Sequence, residues 1–182
     1  MGKDWKAKTG LLAAVLGGDS ESIRLTLSER PYLRSCLDDG ENPLIHCAAR
    51  QGNAGAVRAL AAAGFDVNAK DANGLTPLLH AVDANRLDCI LPLVEFGADT
   101  NATGPDGYAA LHLAVRNANP FAAAFLCHHG ADPNVPNAEM GATPLHIACF
   151  LDRDAIIPHL MDLGADPLLE DVNGLTPVAL AA

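Results

Sequence analysis

Thr76-Pro77-Leu78-Leu79-His80 and Thr143-Pro144-Leu145-His146 decide how this chain folds. Each begins two residues after a glycine, and each opens a stretch that closes on Gly-Ala-Asp about twenty residues later. The glycines three residues before the proline, or before its stand-in, are Gly40, Gly74, Gly107, Gly141 and Gly174, in steps of 34, 33, 34 and 33. The glycines that open the Gly-Ala-Asp-like motif are Gly64, Gly97, Gly130 and Gly164, in steps of 33, 33 and 34. Two independent marks keeping one period define a stack of units, none of which buries its apolar face without neighbours.

The unit 71–103 shows how one period works. Asp71-Ala72-Asn73-Gly74 is turn chemistry, because Asn and Gly tolerate positive φ. Thr76 can cap a helix, and Pro77 suits the first turn, where its missing N–H would have no partner anyway. Leu78, Leu79 and Ala81 supply one apolar face. A second helix is expected from about Leu87, with Ile90, Leu93 and Val94 facing inward and Gly97 ending it. Pro120 falls in the first turn of its second helix. Pro92 and Pro158 are expected four or five residues into theirs, where the helices survive with a bend.

This pattern resembles the ankyrin repeat, over nearly the whole chain. The resemblance implies an all-α solenoid of stacked helix-turn-helix units with β-turn fingers, as one domain over 1–182. The units expected are a cap at about 5–37, repeats at 38–70, 71–103, 104–137 and 138–170, and a partial repeat at 171–182. The cap lacks the Thr-Pro-Leu-His motif and has a long finger, residues 29–40. In the fourth unit Ala109-Ala110 replace Thr-Pro, and in the fifth Leu168 stands where Asn68, Asn101 and Asn134 stand in others. His46, His80, His112 and His146 recur once per unit, and the resemblance implies that they tie neighbouring units by hydrogen bonds.

Composition narrows the function. With 12 Lys and Arg against 22 Asp and Glu the formal charge is −10, which repels nucleic acid and anionic membranes. Aromatics are 4% of residues while Ala is abundant, as closely approaching helices require. Five cysteines, Cys36, Cys47, Cys89, Cys127 and Cys149, form no Cys-x-x-Cys pair. They are expected as buried reduced thiols in a cytoplasmic protein. Lys3, Lys6 and Lys8 before Leu11–Leu16 faintly resemble a signal peptide, but the apolar run is short and no small-residue cleavage site follows it. Lys6 stands where myristoylation needs Ser or Thr.

Catalytic motifs are absent: there is no Gly-x-Ser-x-Gly, no His-Glu-x-x-His, no Walker loop and no Gly-x-Gly-x-x-Gly. Asp66, Asp99, Asp132 and Asp166 keep the period and so belong to the structural rhythm. No enzyme activity, cofactor or metal is expected. His128-His129 is not repeated; with Asp132 nearby it defines the alternative of a metal-dependent regulator. A further alternative is that the chain is the repeat domain of a larger or catalytic protein.

The resemblance implies a protein-protein interaction module, monomeric, that acts as scaffold, inhibitor or regulator without nucleic acid or membrane. In such stacks the finger tips and the two residues after the small pair of the first helix line a concave face. Here those positions include Asp38, Asp39, Leu75, Asp83, Tyr108, Arg116 and Met140. Phe150-Leu151 breaks the habit of Arg50-Gln51, Asp83-Ala84 and Arg116-Asn117, which are polar or small at the same place. Tyr108, Met140, Phe150 and Leu151 are expected to form one apolar patch, because exposed apolar clusters with aromatic anchors mark interface centres.

Overall fold

The computed structural model describes residues 2–35, 38 and 42–180. It divides into two compact units, Met1–Asp99 and Thr100–Ala182. Among the described residues every extended element is an α-helix, and Thr103 and Ala109 form an isolated antiparallel β-bridge.

In Met1–Asp99 the helices come in pairs: α1 (Gly2–Gly17) with α2 (Ser20–Glu29), α3 (Leu44–Gln51) with α4 (Ala54–Ala62), and α5 (Pro77–Asp83) with α6 (Leu87–Glu95). First helices pack on first helices, α1 on α3 and α3 on α5, and second helices on second, α2 on α4 and α4 on α6. The cap keeps this plan although α1 is twice as long as its counterparts. It contributes Leu11, Val15, Ile23 and Leu27 to the core, followed by a 3-10 turn, Pro31–Ser35, that buries Leu33. In Thr100–Ala182, α7 (Ala110–Arg116) pairs with α8 (Pro120–His128) and α9 (Pro144–Phe150) with α10 (Ile157–Asp162). The short helix α11 (Pro177–Leu180) packs on α9.

Small residues let the helices approach: Ala48, Ala49, Ala81, Ala114 and Ala148 are fully buried beside Leu44, Leu78, Leu111 and Leu145. Each first helix then reverses through a residue in the left-handed region. Glycine fills that place at Gly18 and Gly52, and Asn85, Ala118 and Asp152 fill it later, with φ of 55°, 52° and 53°.

Pro92 lies inside α6, as expected. Pro158 does not lie deep in its helix, because α10 starts only at Ile157 and places the proline in the first turn. A proline four residues further in would leave the carbonyl one turn before it without a donor; starting later removes that loss.

Three side-chain devices join one repeat to the next. Asn68 donates to the Gly97 carbonyl (2.9 Å) and accepts from the Asp99 N–H (2.8 Å). Asn101 does the same with Gly130 and Asp132, and Asn134 with Gly164 and Asp166. Leu168, at the fourth such position, is 74% exposed. Ahead of the second helices, Asn53 donates to the Val15 and Leu16 carbonyls, Arg86 to Arg50, and Arg153 to Arg116.

Histidine is the third device, and it comes in two forms. In Thr100–Ala182 the Ala109 N–H donates to His112 Nδ1 (3.2 Å) and the Thr143 N–H to His146 Nδ1 (3.1 Å). A backbone N–H can only donate, so each ring carries its proton on Nε2. Those Nε2–H groups donate to the carbonyls of Ala142 and Leu175, thirty and twenty-nine residues on. The fourth unit thus keeps this bond without Thr-Pro: His112 secures the Ala109 N–H as His146 secures that of Thr143. In Met1–Asp99 His46 keeps the same place in the period, whereas His80 stands one residue later, with Leu79 at the usual place. His46 Nε2 meets the Ala69 carbonyl at 2.9 Å and Leu75 at 3.2 Å. The His80 Nε2 lies 2.7 Å from Asp71 Oδ2 in its own unit, and the His80 ring meets that of His46 in the preceding repeat edge-on, with centroids 5.7 Å apart.

Candidate functional site

The 34-residue step from Gly107 to Gly141 locates the site. Its extra residue lies in the finger Asn137–Ala142, where Asn137 accepts from Gly141 and donates to the Ala142 carbonyl. Asn137 Oδ1 also takes the N–H groups of Met140 and Ala142, so the wider tip is held from inside. The wider tip carries Met140, whose side chain is 45% exposed. The preceding finger sits so close that a Cβ on Gly107 would fall 2.0 Å from the Ala138 nitrogen; with φ of 75°, only glycine fits there. On the other side the Val172 N–H donates to the Met140 carbonyl (2.9 Å).

Between these fingers and α9 lies a groove of about 240 Å³ lined by Tyr108, Met140, Ala142, His146, Ile147, Phe150, Asp171, Asn173, Leu175 and Leu180. Phe150, at the end of α9, is 71% exposed. Tyr108 meets the His112 ring edge-on, with centroids 5.3 Å apart. The groove thus joins three of the expected patch residues, Tyr108, Met140 and Phe150.

Leu151 and Arg116 do not line it. Leu151 caps the end of α9 half-buried, and Arg116 is half-buried with its carbonyl taken by Arg153. Ile147, Leu175 and Leu180 were not anticipated. Leu175 occupies in its finger the place that Leu75 occupies in the unit 71–103, so the signal was present in the repeat itself.

Of the candidates in Met1–Asp99, Asp83 is exposed on α5 and Leu75 is half-buried, its carbonyl accepting from Asp71 and its N–H donating to the Asp71 carboxylate. Asp38 turns its carboxylate inward, accepting from the Asn42 N–H and from Cys47 Sγ, both at 2.8 Å. Asp39 lies outside the described residues, as does Cys36.

Near Asp38 a small polar pocket gathers His46, Cys47, Asp71 and His80. Burial pushes the Cys47 thiol up to about 12, helped by Asp38, so it is a protonated donor at neutral pH. Burial likewise raises Cys89 and Cys127 to about 11. Cys47, Cys89, Cys127 and Cys149 are free thiols, and all but Cys127 are buried.

His128 and His129 direct Nδ1 to carbonyls of their own helix, Ala124 and Phe125. His129 stacks on Phe125, and Asp132 accepts from the Asn134 N–H. Among the described residues no group of three or more His, Cys, Asp or Glu could hold a metal ion. No helix among them is long and apolar enough to cross a membrane.

A family model described as "Ankyrin repeats (3 copies)" matches residues 11–104, 66–137 and 93–171. The chain belongs to the ankyrin-repeat family. Ankyrin repeats are protein-interaction modules, and the groove lies where their fingers meet the first helices. Among similar proteins, Protein PhlB of Serratia liquefaciens is 39% identical over 108 residues, 59% of this chain and 48% of that one. The putative palmitoyltransferase ZDHHC13 of Danio rerio is 31% identical over 156 residues, 85% of this chain and 24% of its own. NF-kappa-B inhibitor delta of Mus musculus is 29% identical over 216 residues, 98% of this chain and 63% of its own. This ankyrin chain therefore spans from 24% to 63% of the length of these relatives.

Proposed function

We propose that this ankyrin-repeat chain is a non-catalytic regulator that acts by occupying the surface of a protein partner, with the groove of Tyr108, Met140 and Phe150 as the centre of contact. The observation that carries this reading is Phe150: a large aromatic side chain, 71% exposed, set over an apolar groove at a position where the other repeats place polar or small residues. Desolvated aromatic anchors of this kind dominate interface energies. The name of one relative, an NF-kappa-B inhibitor, favours regulation by masking over recruitment. The chain acts as a monomer, and its buried free thiols support a reducing compartment, the cytoplasm. Leu75, Asp83, Arg116 and Leu151 are further contact residues in this reading.

The test compares what native extract delivers to immobilised wild-type protein and to Phe150→Ala, by quantitative mass spectrometry. A partner captured by the wild type and depleted at least tenfold by the variant is expected. Equal capture by both proteins sinks the assignment.

A second reading is favoured by the lengths of the relatives: the repeats serve as the partner-binding part of a larger protein. An immunoblot of the native protein, run against the 182-residue chain, decides between them.

A further inference from the structure

We propose that the groove of Thr100–Ala182 takes a cationic segment of a protein partner, with one aliphatic or aromatic side chain seated among Tyr108, Met140 and Phe150 and lysines or arginines flanking it. This rests on the groove being the contact site and adds the chemistry of what enters.

Charge is unevenly shared along the chain. Residues 100–182 hold nine Asp and Glu against two Arg and no Lys, a formal −7 out of the total −10. No lysine or arginine lines the groove. Arg153 is half-buried and engaged with the Arg116 carbonyl. Asp171 does line it, and hydrogen bonds from the Leu175 and Asn173 N–H groups hold its carboxyl below the usual range, so it stays ionised. Glu139 and Glu170 precede the lining residues Met140 and Asp171, and both are exposed. The Glu170 carboxylate reaches toward Gly174, 3.9 Å from where a Cβ there would sit.

The polar groups of the floor are already committed. His146 has Nδ1 on Thr143 and Nε2 on the Leu175 carbonyl, so it offers an entering chain no free ring nitrogen. What remains is an apolar floor under a carboxylate rim. The floor selects a large apolar side chain by desolvation, and the rim selects the sign of its neighbours. An acidic segment or a nucleic acid meets like charge, and a second copy of this chain brings the same net −10.

The probe is a phage-displayed random dodecapeptide library, selected on the full chain at low salt. Binders are depleted on Phe150→Ser, which keeps every charge and whose thermal melt must match the wild type. Enriched peptides are expected to carry an apolar residue flanked by Lys or Arg. Fluorescein-labelled copies should bind wild type at least tenfold more tightly than either Phe150→Ser or the Glu139→Lys/Glu170→Lys double variant. They should also weaken at least tenfold between about 0.01 M and 0.15 M salt, as the screening length falls from about 30 to 8 Å.

Enrichment of neutral or acidic peptides that still lose binding in Phe150→Ser overturns the charge assignment and leaves the groove standing. Cationic peptides that bind Phe150→Ser as well as wild type overturn both. No enrichment overturns the proposal, as does self-association in sedimentation that is lost in Phe150→Ser.

Discussion

His112 is fully buried and makes backbone bonds of different worth, which substitutions can separate. Its Nδ1 accepts from the Ala109 N–H at the start of α7, and its Nε2 donates to the Ala142 carbonyl of the next repeat. The carbonyl has a second donor, the Asn137 N–H at 2.9 Å, whereas Ala109 is only 1% exposed and no other acceptor is placed for its N–H. His112→Asn keeps an oxygen near the Nδ1 position and loses the bond to Ala142. Because that carbonyl stays paired, the expected loss is about 0.5–1.5 kcal/mol, the net worth of one hydrogen bond. His112→Gln keeps a donor near the Nε2 position and strands the Ala109 N–H, at about 1–3 kcal/mol for an unpaired buried donor. His112→Ala loses both and leaves a void, for about 2–5 kcal/mol. The expected order of stability is wild type, Asn, Gln, Ala, read from urea midpoints with the slope checked for constancy. Gln milder than Asn would refute the view that the ring acts chiefly as a cap. An Ala variant as stable as the wild type would refute the histidine link altogether.

The clasp formed by Asn101 should be worth about 1–3 kcal/mol, because Asn101→Ala removes the partners of the Gly130 carbonyl and the Asp132 N–H, both near water; urea unfolding checks this. Ala118→Gly should stabilise the fold by up to about 1 kcal/mol, since at φ of 52° alanine bears a left-handed cost of about 1–2 kcal/mol that exceeds the entropy cost of glycine; a lower melting temperature would count against it. Burial pushes the His46 and His112 imidazoles below their ordinary range, so the unfolded chain takes up protons that the folded one refuses. Stability should be full above about pH 6.5 and fall as pH drops below it, with less slope in His112→Asn. Burial pushes the Asp71 carboxyl up, but hydrogen bonds from His80, Leu75 and Asn73 outweigh it and hold Asp71 below the ordinary aspartate value of about 3.9. Its contribution is present above that value and is lost as pH falls below it, so acid unfolding should show two separate stages of decline.

The helix order could be read from the chain because each boundary is written locally: Thr76 before Pro77, glycine after the last turn, Leu and Ala at helical spacing. The links between repeats were less legible, since their partners lie about thirty residues away. Asn68, Asn101 and Asn134 stand out by position, but nothing near them names Gly97, Gly130 or Gly164 as their acceptors. His80 shows how one residue misleads. A helix advances by about 100° per residue, and His80 stands one place after the position that His46, His112 and His146 share and that Leu79 takes here, so its ring swings away from the cap and onto Asp71. The patch was half readable: Phe150, Tyr108 and Met140 depart from the habit of their places, whereas Leu151 follows Phe150 in sequence and the helix end turns it elsewhere. Asp38 looked like a free surface charge because its binding to Cys47 and Asn42 depends on how the finger folds back.

The asparagine clasps also act as a gauge of chain length. Each fastens a residue to the glycine 29 or 30 places onward, so the segment between is pinned at both ends. A residue added within a helix would rotate everything after it and open the next clasp. The interval that tolerates a change of one is the finger, whose tip can bulge while its base stays fastened; Met140 occupies such a bulge. Such a molecule can alter its length in two ways, by whole repeats or by single residues at the tips, and the second way reshapes what the surface offers while the frame stays in register.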